Sequence, residues 1–402
     1  MTDSLTVGEI IEVTTGQLAY GGDAVARHDG LAVFVQLGAP CERLRVRISE
    51  VKKNFARAVI EEVLTQSASR REAPCRYFGE CGGCQLQHVT YQAQLEAKRG
   101  FVRDALERVG GIDWPREIEI KHAAEFGYRG RTQVKIERAN EAPTRIGFAR
   151  AGSRSVCDVE SCAILLPRLD AALRALRESV AASPDRLAAV GVRAQTNIAA
   201  GDSAVSFEPQ VSGLPGGVLT RNVAGFAFRF SPATFFQVNA LMLETLVSEA
   251  VGGESGSLAI DLFAGVGLFT LPLARRYAQV MGVESDRRAA EFARENIAAS
   301  RLSNVEVRQA GAAAWLEKFA ALRTPAPDLI LLDPPRAGAA DTIPHLATAN
   351  PARITYVSCD PATLARDLRK LLDSGYELRS VVALDLFPQT YHVETVASLA
   401  RN

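Results

Sequence analysis

Cys359 and Glu394, near the C-terminus, have the types that covalent catalysis on a carbon atom requires. Cys359 stands in TYVSCDP, where an apolar strand is followed by Asp360, Pro361 and a helical stretch, so nearby helix amides are expected to favour its thiolate. Glu394, in LFPQTYHVETV, follows the last predicted strands. A lone cysteine is more often a small buried apolar residue, and a lone glutamate a surface carboxylate, so this pair needs independent support.

A glycine turn upstream provides part of that support. Asp261 ends an apolar strand, Gly265 and Gly267 lead into a helix predicted at 269–278, and the next strand ends at Glu284. Glycines let the backbone approach a ligand, and an acid at the next strand end can accept hydrogen bonds from ribose hydroxyls. The third glycine of G-x-G-x-x-G and the lysine of a P-loop are absent from the motif. The unit favours S-adenosylmethionine (SAM) over NAD, with a turn that binds no ligand as the alternative.

Asp333 is another acid at a strand end. It ends the apolar run LILLD and precedes two prolines and Arg336. Sheets with parallel strands bind ligands in the crevice beyond the carboxyl ends of those strands, and we predict Asp333 there. An aromatic residue after the prolines would indicate methylation of an amino group, so the arginine argues against that reaction.

Together these residues fit methylation of a pyrimidine carbon. C5 of uracil is too weak a nucleophile to take a methyl group directly. A thiolate that adds to C6 makes an enolate at C5, and a base must then remove the C5 proton so that the thiol can leave. We therefore predict Cys359 as the nucleophile and Glu394 as the base. Methylation of cytosine C5 is disfavoured, because the DNA enzymes carry their nucleophile in a Pro-Cys dipeptide. In this sequence the prolines of DPPR are followed by Arg336 and not by a cysteine.

Four of the seven cysteines suggest a second site. Cys75, Cys81 and Cys84 are spaced C-x5-C-x2-C, and Cys162 is the predicted fourth ligand, with Cys157 as its competitor. Four thiolates suit either a [4Fe–4S] cluster or structural zinc, and the spacing does not separate the two. It differs from the C-x3-C-x2-C of radical-SAM enzymes.

The order of the elements predicts three domains. Short strands separated by turns indicate a small closed barrel, which we assign to residues 1–64. Residues 65–232 contain the cysteines, a helical stretch at 91–109 and mixed strands, which indicate an α+β domain. From 233 to 402 buried strands alternate with helices, which predicts an α/β domain with a doubly wound, mostly parallel sheet.

Composition and charge limit the setting of these domains. With 47% apolar and 23% charged residues, the chain has the composition of a soluble globular protein. We find neither a signal peptide nor an apolar run near the roughly 20 residues of a membrane helix, and therefore predict a cytoplasmic protein. The net charge is zero. Segments 43–57 and 121–154 carry excess Lys and Arg, which fits RNA phosphate binding or, equally, solvated strand faces.

With these residues in hand, nearly the whole chain resembles the RNA m5U (uracil-C5) methyltransferase family, in particular its 23S ribosomal-RNA branch. SCDP at Cys359 and FPQTYHVE at Glu394 match the nucleophile and base motifs and are specific to the family. The segment GEIIEVTTGQLAYGGDAVARHDGLAVFV resembles a TRAM domain. The cofactor and substrate motifs are matched by FFQVN at Gln237, DLFAGVG at Phe263, VES at Glu284 and DPPR at Asp333.

The resemblance implies an OB-like TRAM β-barrel that binds RNA, a central α+β iron–sulfur domain and a C-terminal Rossmann-like, SAM-dependent methyltransferase domain. It implies a target uridine extruded from folded RNA, and it favours 23S ribosomal RNA over transfer RNA. We expect a monomer without an obligate protein partner. The implied SAM site comprises Gln237, Phe263, Glu284 and Asp333, beside Gly265 and Gly267. The implied ligands of a [4Fe–4S] cluster, with zinc as the alternative, are Cys75, Cys81, Cys84 and Cys162.

Three positions depart from the family pattern. Ala264 replaces the usual cysteine of the glycine turn, and Leu268 and Gly311 stand where asparagines are expected. These changes bear on SAM binding and on the branch, not on Cys359 or Glu394. The alternatives are a tRNA uracil-C5 methyltransferase and an RNA-binding relative that has lost catalysis.

Overall fold

The computed structural model describes residues 5–138, 144–182, 193–322 and 325–401. In these residues the strands are β1 Ile10–Thr14, β2 Ala24–His28, β3 Leu31–Gln36, β4 Arg43–Val51, β5 Phe55–Thr65, β6 Glu119–Lys121, β7 Arg131–Glu137, β8 Arg145–Ala149, β9 Val156–Asp158, β10 Arg193–Ala200, β11 Val205–Glu208, β12 Leu219–Val223, β13 Phe226–Phe230, β14 Gly256–Leu262, β15 Tyr277–Glu284, β16 Val305–Gln309, β17 Leu329–Leu332, β18 Arg353–Ser358, β19 Tyr376–Leu384 and β20 Glu394–Arg401. The helices are α1 Tyr91–Asp104, α2 Pro167–Ala182, α3 Leu243–Val251, α4 Thr270–Leu273, α5 Arg287–Ala299, α6 Ala312–Ala321, α7 Ile343–Ala349 and α8 Pro361–Asp373.

The first five strands form a curled sheet in the order β1-β4-β5-β3-β2. Alternate residues of β1 and β4 point inwards, as the period of two predicts for strands with one buried face. Just beyond β1, Gly16 donates to the carbonyl of Val25 in β2 (2.7 Å), and Val25 donates back to Gln17 (2.9 Å). These bonds join the two ends of the sheet, so the predicted small barrel is confirmed.

The segment predicted as the central domain contributes to three sheets, one of which is the two-stranded sheet β12-β13. Its own antiparallel sheet has the order β11-β10-β7-β8-β9 and shares an apolar core with α2. Helix α1 continues as one wider helical turn to Val109 and stops at Gly110 and Gly111, as predicted. However, α1 packs with α8, and the short strand β6 pairs with β19 at the edge of the C-terminal sheet.

The C-terminal sheet has the order β16-β15-β14-β17-β18-β20-β19-β6. The strands from β14 to β18 are parallel, which confirms the predicted mostly parallel, Rossmann-like sheet. Strand β20 runs antiparallel to β18. Its first residue therefore lies at the edge where the parallel strands have their carboxyl ends.

The helix predicted at 269–278 is wrong in length. Only α4, one turn at Thr270–Leu273, forms there. The reason is that β15 already begins at Tyr277, which pairs with Gly256 of β14, so the sheet ladder includes the end of the predicted helix. Within the described ranges no helix is both long and apolar enough to span a bilayer.

Candidate active site

Asp333, Cys359 and Glu394 lie together at the carboxyl edge of the C-terminal sheet. Asp333 directly follows β17, and Cys359 directly follows the adjacent β18. Glu394 opens β20, in which Thr395 is the partner of Ser358 across the antiparallel ladder. The residues predicted as nucleophile and base therefore stand side by side on neighbouring strands.

Burial raises the pKa of all three groups. Burial raises the pKa of the Cys359 thiol to about 11, helped by the carboxyls of Glu394 and Asp333 and opposed by Arg336. Burial and the nearby Asp333 hold the pKa of Glu394 well above its ordinary value. Burial also raises the pKa of Asp333 to about 7. At neutral pH the resting Cys359 thiol therefore carries its proton.

Arg336, rather than the start of α8, is the group that favours the thiolate. The sequence predicted that helix amides would lower the thiol pKa, but Oδ1 of Asp360 accepts from the amides of Ala362 (3.0 Å) and Thr363 (2.9 Å). These amides are occupied by their own cap. The Arg336 guanidinium is within hydrogen-bonding reach of the Cys359 thiol and contacts Nε2 of His392 at 3.0 Å.

This role of Arg336 was missed at the sequence level, where the residue was considered only as the replacement of an aromatic one. The available indication was its position three residues after Asp333, a strand-end acid on the strand next to that of Cys359. A cation at this position can reach a side chain at the end of the neighbouring strand.

The glycine turn borders a cleft next to these residues. Phe263, Gly265 and Gly267 have φ of 65°, 56° and 95°. Glycine adopts such angles freely, whereas a phenylalanine does so only where the surroundings impose it, a feature concentrated at ligand sites. The amide of Gly265 donates to Oε2 of Glu284 at 2.8 Å, which fixes the carboxylate against the turn.

Gln237 closes the other side of this cleft. Its Nε2 donates to Oδ2 of Asp333 at 3.0 Å, and this bond opposes the rise in the pKa of that acid. Four of the six residues predicted for SAM, Gln237, Phe263, Gly265 and Asp333, line this cleft, and Glu284 is joined to it through the Gly265 amide. Its walls include Phe235, Gln237, Phe263, Gly265, Leu268 and Asp333.

The two departures where asparagines were expected lie along the same edge. Leu268 is buried in the cleft wall. Gly311 precedes α6, next to Ala310, whose amide donates to the carbonyl of Glu284 at 2.9 Å. A Cβ added at Gly311 would meet no atom within 4 Å, so the position is open rather than occupied by another group.

The predicted cysteine ligands converge elsewhere. Cys75, Cys81, Cys84 and Cys162 line one cavity of about 550 Å³ on the central domain. Burial raises the pKa of Cys84 to about 11 and that of Cys162 to about 12. The competitor Cys157 is buried in the core of the central sheet, with its thiol 3.4 Å from Oε1 of Glu80. Among the described residues, no group of three or more His, Cys, Asp or Glu side chains is placed to hold a metal ion.

The basic segment of the barrel is largely neutralised by acids of the barrel itself. Arg43 and Arg45 both pair with Glu12 (2.7 and 3.1 Å), and Arg47 pairs with Glu61 (2.6 Å). Of the two interpretations of this segment, the solvated strand face is the better supported.

A Rossmann-like sheet with a glycine turn, an acid at the next strand end and reactive groups at its carboxyl edge defines a SAM-dependent methyltransferase. A family model described as tRNA (Uracil-5-)-methyltransferase matches residues 218–402, and a TRAM domain matches residues 4–60. The chain belongs to the RNA uracil-C5 methyltransferase family, and the resemblance drawn from the motifs is confirmed.

Full-length relatives support the assignment. An uncharacterized RNA methyltransferase of Aquifex aeolicus is 34% identical over 97% of this chain and 98% of its own. The 23S rRNA (uracil(1939)-C(5))-methyltransferase RlmD of Klebsiella pneumoniae is 34% identical over 99% of this chain and 97% of its own. The crystal structure of Pyrococcus abyssi tRNA (uracil-54, C5)-methyltransferase in complex with S-adenosyl-L-homocysteine superimposes with a TM-score of 0.71 at 26% identity, covering 97% of this chain and 100% of that one.

Proposed function

We propose that the protein methylates C5 of a uridine in 23S ribosomal RNA, with Cys359 as nucleophile and Glu394 as base, in the cytoplasm. The observation that carries this proposal is the placement of the two side chains on adjacent strand ends, beside Asp333 and the glycine turn. The ribosomal substrate is supported by the Klebsiella pneumoniae relative, which matches over nearly the entire length of both chains.

Different residues of the chain act in successive steps of the reaction. The Cys359 thiol loses its proton to solvent, which Arg336 favours, and Sγ bonds to C6, so that the electron pair of the C5–C6 double bond becomes available at C5. SAM supplies the methyl group that C5 takes. Glu394 then accepts the C5 proton, the double bond re-forms, and the C6–sulfur bond breaks to release the thiolate.

The SAM site follows from the cleft. Gln237, Phe263, Gly265 and Gly267 would surround SAM, and Glu284 would accept hydrogen bonds from its ribose. Asp333 bonds to Gln237 and faces Cys359 and Glu394, so it connects the cofactor cleft with the reacting residues.

RNA containing 5-fluorouridine tests the nucleophile. Fluorine at C5 cannot leave as a proton does, so the wild type should remain covalently bound to such RNA in the presence of SAM. Cys359→Ala should form no adduct, while Cys41→Ser, which alters an exposed thiol of the barrel, should behave as the wild type. A wild type that forms no adduct would establish the RNA-binding relative without catalysis.

Transfer RNA is the second candidate substrate, because the Pyrococcus abyssi tRNA enzyme superimposes over its whole length. Mapping m5U in ribosomal and transfer RNA from cells with and without the gene decides between them. We expect one or more m5U positions of 23S ribosomal RNA to be lost; unchanged ribosomal RNA with a missing tRNA m5U would assign the protein to tRNA.

We also propose that Cys75, Cys81, Cys84 and Cys162 hold a [4Fe–4S] cluster. The fit rests on four thiols around one cavity. Burial disfavours the thiolate forms of Cys81, Cys84 and Cys162, a situation that bound metal reverses. The cluster would tie the cysteine loop, residues 75–84, to the central sheet, and no step of the methyl transfer needs it.

Metal analysis of anaerobically purified protein tests this second proposal. We expect iron, acid-labile sulfide and visible absorbance in the wild type and in Cys157→Ser, and their loss in Cys162→Ser. Stoichiometric zinc without iron would replace the cluster with a zinc site. Retention of iron by Cys162→Ser would refute this ligand set.

A further inference from the structure

The segment 385–393, which we call the base loop, connects β19 to Glu394. Residues from earlier segments of the chain form hydrogen bonds with it. Lys98 of α1, fully buried, reaches Oδ1 of Asp385 (2.5 Å) and the carbonyl of Phe387 (2.9 Å). The hydroxyl of Tyr128 donates to the carbonyl of Pro388 at 2.9 Å. The base loop therefore takes its shape from the central segment of the chain, not from the C-terminal sheet alone.

Gln389 lies at the bend of this loop. It is fully buried and has a φ of 69°, in the left-handed region that residues other than glycine seldom adopt. Its carbonyl accepts from the amides of Gln85 (2.9 Å) and Leu86 (3.0 Å), which directly follow Cys84. Its own amide donates to Oε1 of Gln94 at 3.0 Å. A bend of this kind persists only where such contacts impose it.

The Gln389 side chain is bonded as completely as its main chain. Its Oε1 accepts from Nε2 of Gln94 (3.0 Å) and from Nη2 of Arg71 (3.1 Å). Its Nε2 donates to Oε2 of Glu125 at 2.9 Å, and Arg71 holds the same carboxylate at 2.7 Å. None of these partners lines the SAM cleft.

We propose that Gln389 is a positioning residue for the base, through which the cysteine loop and α1 set the location of Glu394. This inference rests on the proposed function, because it assigns Gln389 to the step that Glu394 performs. Attack by Cys359 and methyl transfer need Cys359, Arg336 and the cleft. Cys359 follows β18 and Asp333 of the cleft follows β17, while Arg336 also contacts His392 of the base loop. Proton removal needs Glu394, five residues after the bend.

A displaced base has a distinctive consequence. When the C5 proton is not removed, the C6–sulfur bond cannot break, so methylated RNA stays covalently attached to Cys359. A merely structural defect would instead slow attack, methyl transfer and release together. Accumulation of adduct on ordinary uridine RNA, carrying the labelled methyl group, is thus a measure of the base step alone.

The experiment uses full-length protein, labelled SAM and ribosomal RNA from cells that lack the gene. For Gln389→Ala we expect single-turnover methyl transfer within about threefold of the wild type, with at least about tenfold more denaturant-resistant RNA adduct. A displaced base should lose part of the roughly 10²- to 10⁴-fold that general-base catalysis contributes. Under multiple turnover, kcat should fall while KM stays unchanged. Gln94→Met, which keeps the side-chain volume and removes both bonds to Gln389, should show the same pattern. This variant provides the test if Gln389→Ala does not fold.

Two controls separate the possible failures. Asn304→Ala removes two amide hydrogen bonds from a half-buried side chain at the opposite edge of the sheet and should accumulate no adduct. Glu394→Gln should accumulate adduct; if it does not, the proposed base role itself fails. The positioning role of Gln389 is refuted if Glu394→Gln traps RNA while Gln389→Ala and Gln94→Met release it as the wild type does. It is also refuted if these two variants lose methyl transfer to the same extent as product release.

Discussion

Cys359 and the four cysteines of the cavity are half-buried thiols at two separate sites, and what surrounds them differs. Cys359 has a guanidinium beside it, since Arg336 opposes the effect of burial on its pKa. Around the cysteine cavity, the neighbouring thiols raise the pKa of Cys84 and Cys162 further. Burial alone makes a thiol unreactive. The comparison shows that neighbouring groups can oppose or add to the effect of burial on a thiol: a guanidinium opposes it at Cys359, whereas other thiols add to it at Cys84 and Cys162.

The largest expected effect comes from the catalytic thiol. Cys359→Ala should lower the rate of methyl transfer from labelled SAM by at least about 10⁴-fold, since no other group supplies the nucleophile. The iron content should stay that of the wild type, because the cysteine cavity is separate. A variant that retains measurable turnover, or that loses iron, would break the distinction between the two thiol sites.

Removing the proposed metal should act on stability first. Cys84→Ser or treatment with a chelator should lower the free energy of unfolding by several kcal/mol, on the order of the contributions of other structural metal sites. The methyl transfer step should persist in whatever protein stays folded. Thermal unfolding with and without chelator measures the effect; an unchanged midpoint would show that the four thiols need no metal.

Loss of the cation should change the pH dependence of the reaction. Because a thiol pKa of about 11 leaves most of Cys359 protonated at neutral pH, kcat/KM should rise as pH increases from 7 to 9. Arg336→Gln raises the thiol pKa further, so the rate at pH 7 should fall by roughly ten- to a hundredfold, the effect expected for removing an adjacent opposite charge. The difference in rate between Arg336→Gln and the wild type should shrink as the pH approaches the raised pKa of the thiol.

Arg369→Gln is the matched control for that variant. Arg369 pairs with Asp373 on the exposed face of α8, away from the thiol. Its substitution should leave the pH profile unchanged. Equal profiles for Arg336→Gln and the wild type would contradict the assignment of Arg336.

The smallest effect is expected on the barrel. Arg45 is paired with Glu12 and Glu62, so Arg45→Gln should change stability by less than about 1 kcal/mol, as exposed ion pairs generally do. It should also alter the slope of log affinity for RNA against log salt by well under about 1, the value for one lost phosphate contact. A larger change in slope would show that the acids of the barrel move aside for RNA.

Most elements could be predicted because their period and boundaries are local. The five barrel strands, the stop of α1 at Gly110 and the alternation of strands and helices after residue 233 all appear where the patterns indicated. The exception is the helix predicted at 269–278. It is limited to one turn because Tyr277 pairs with Gly256 in the sheet, although the local pattern is helical. Pairing between distant strands leaves no mark in a local window.

By itself the sequence determined the kinds of groups available: a cysteine and an acid after specific strands, a glycine turn, and four cysteines with ligand-like spacing. Only the tertiary structure decided which of them meet and in what charge state. The antiparallel insertion of β20 next to β18 places Glu394 beside Cys359. The capping of α8 by Asp360 leaves Arg336 as the cation for the thiol. Protonation depends on burial and on the charges nearby, and both arise only when segments far apart in the chain pack together.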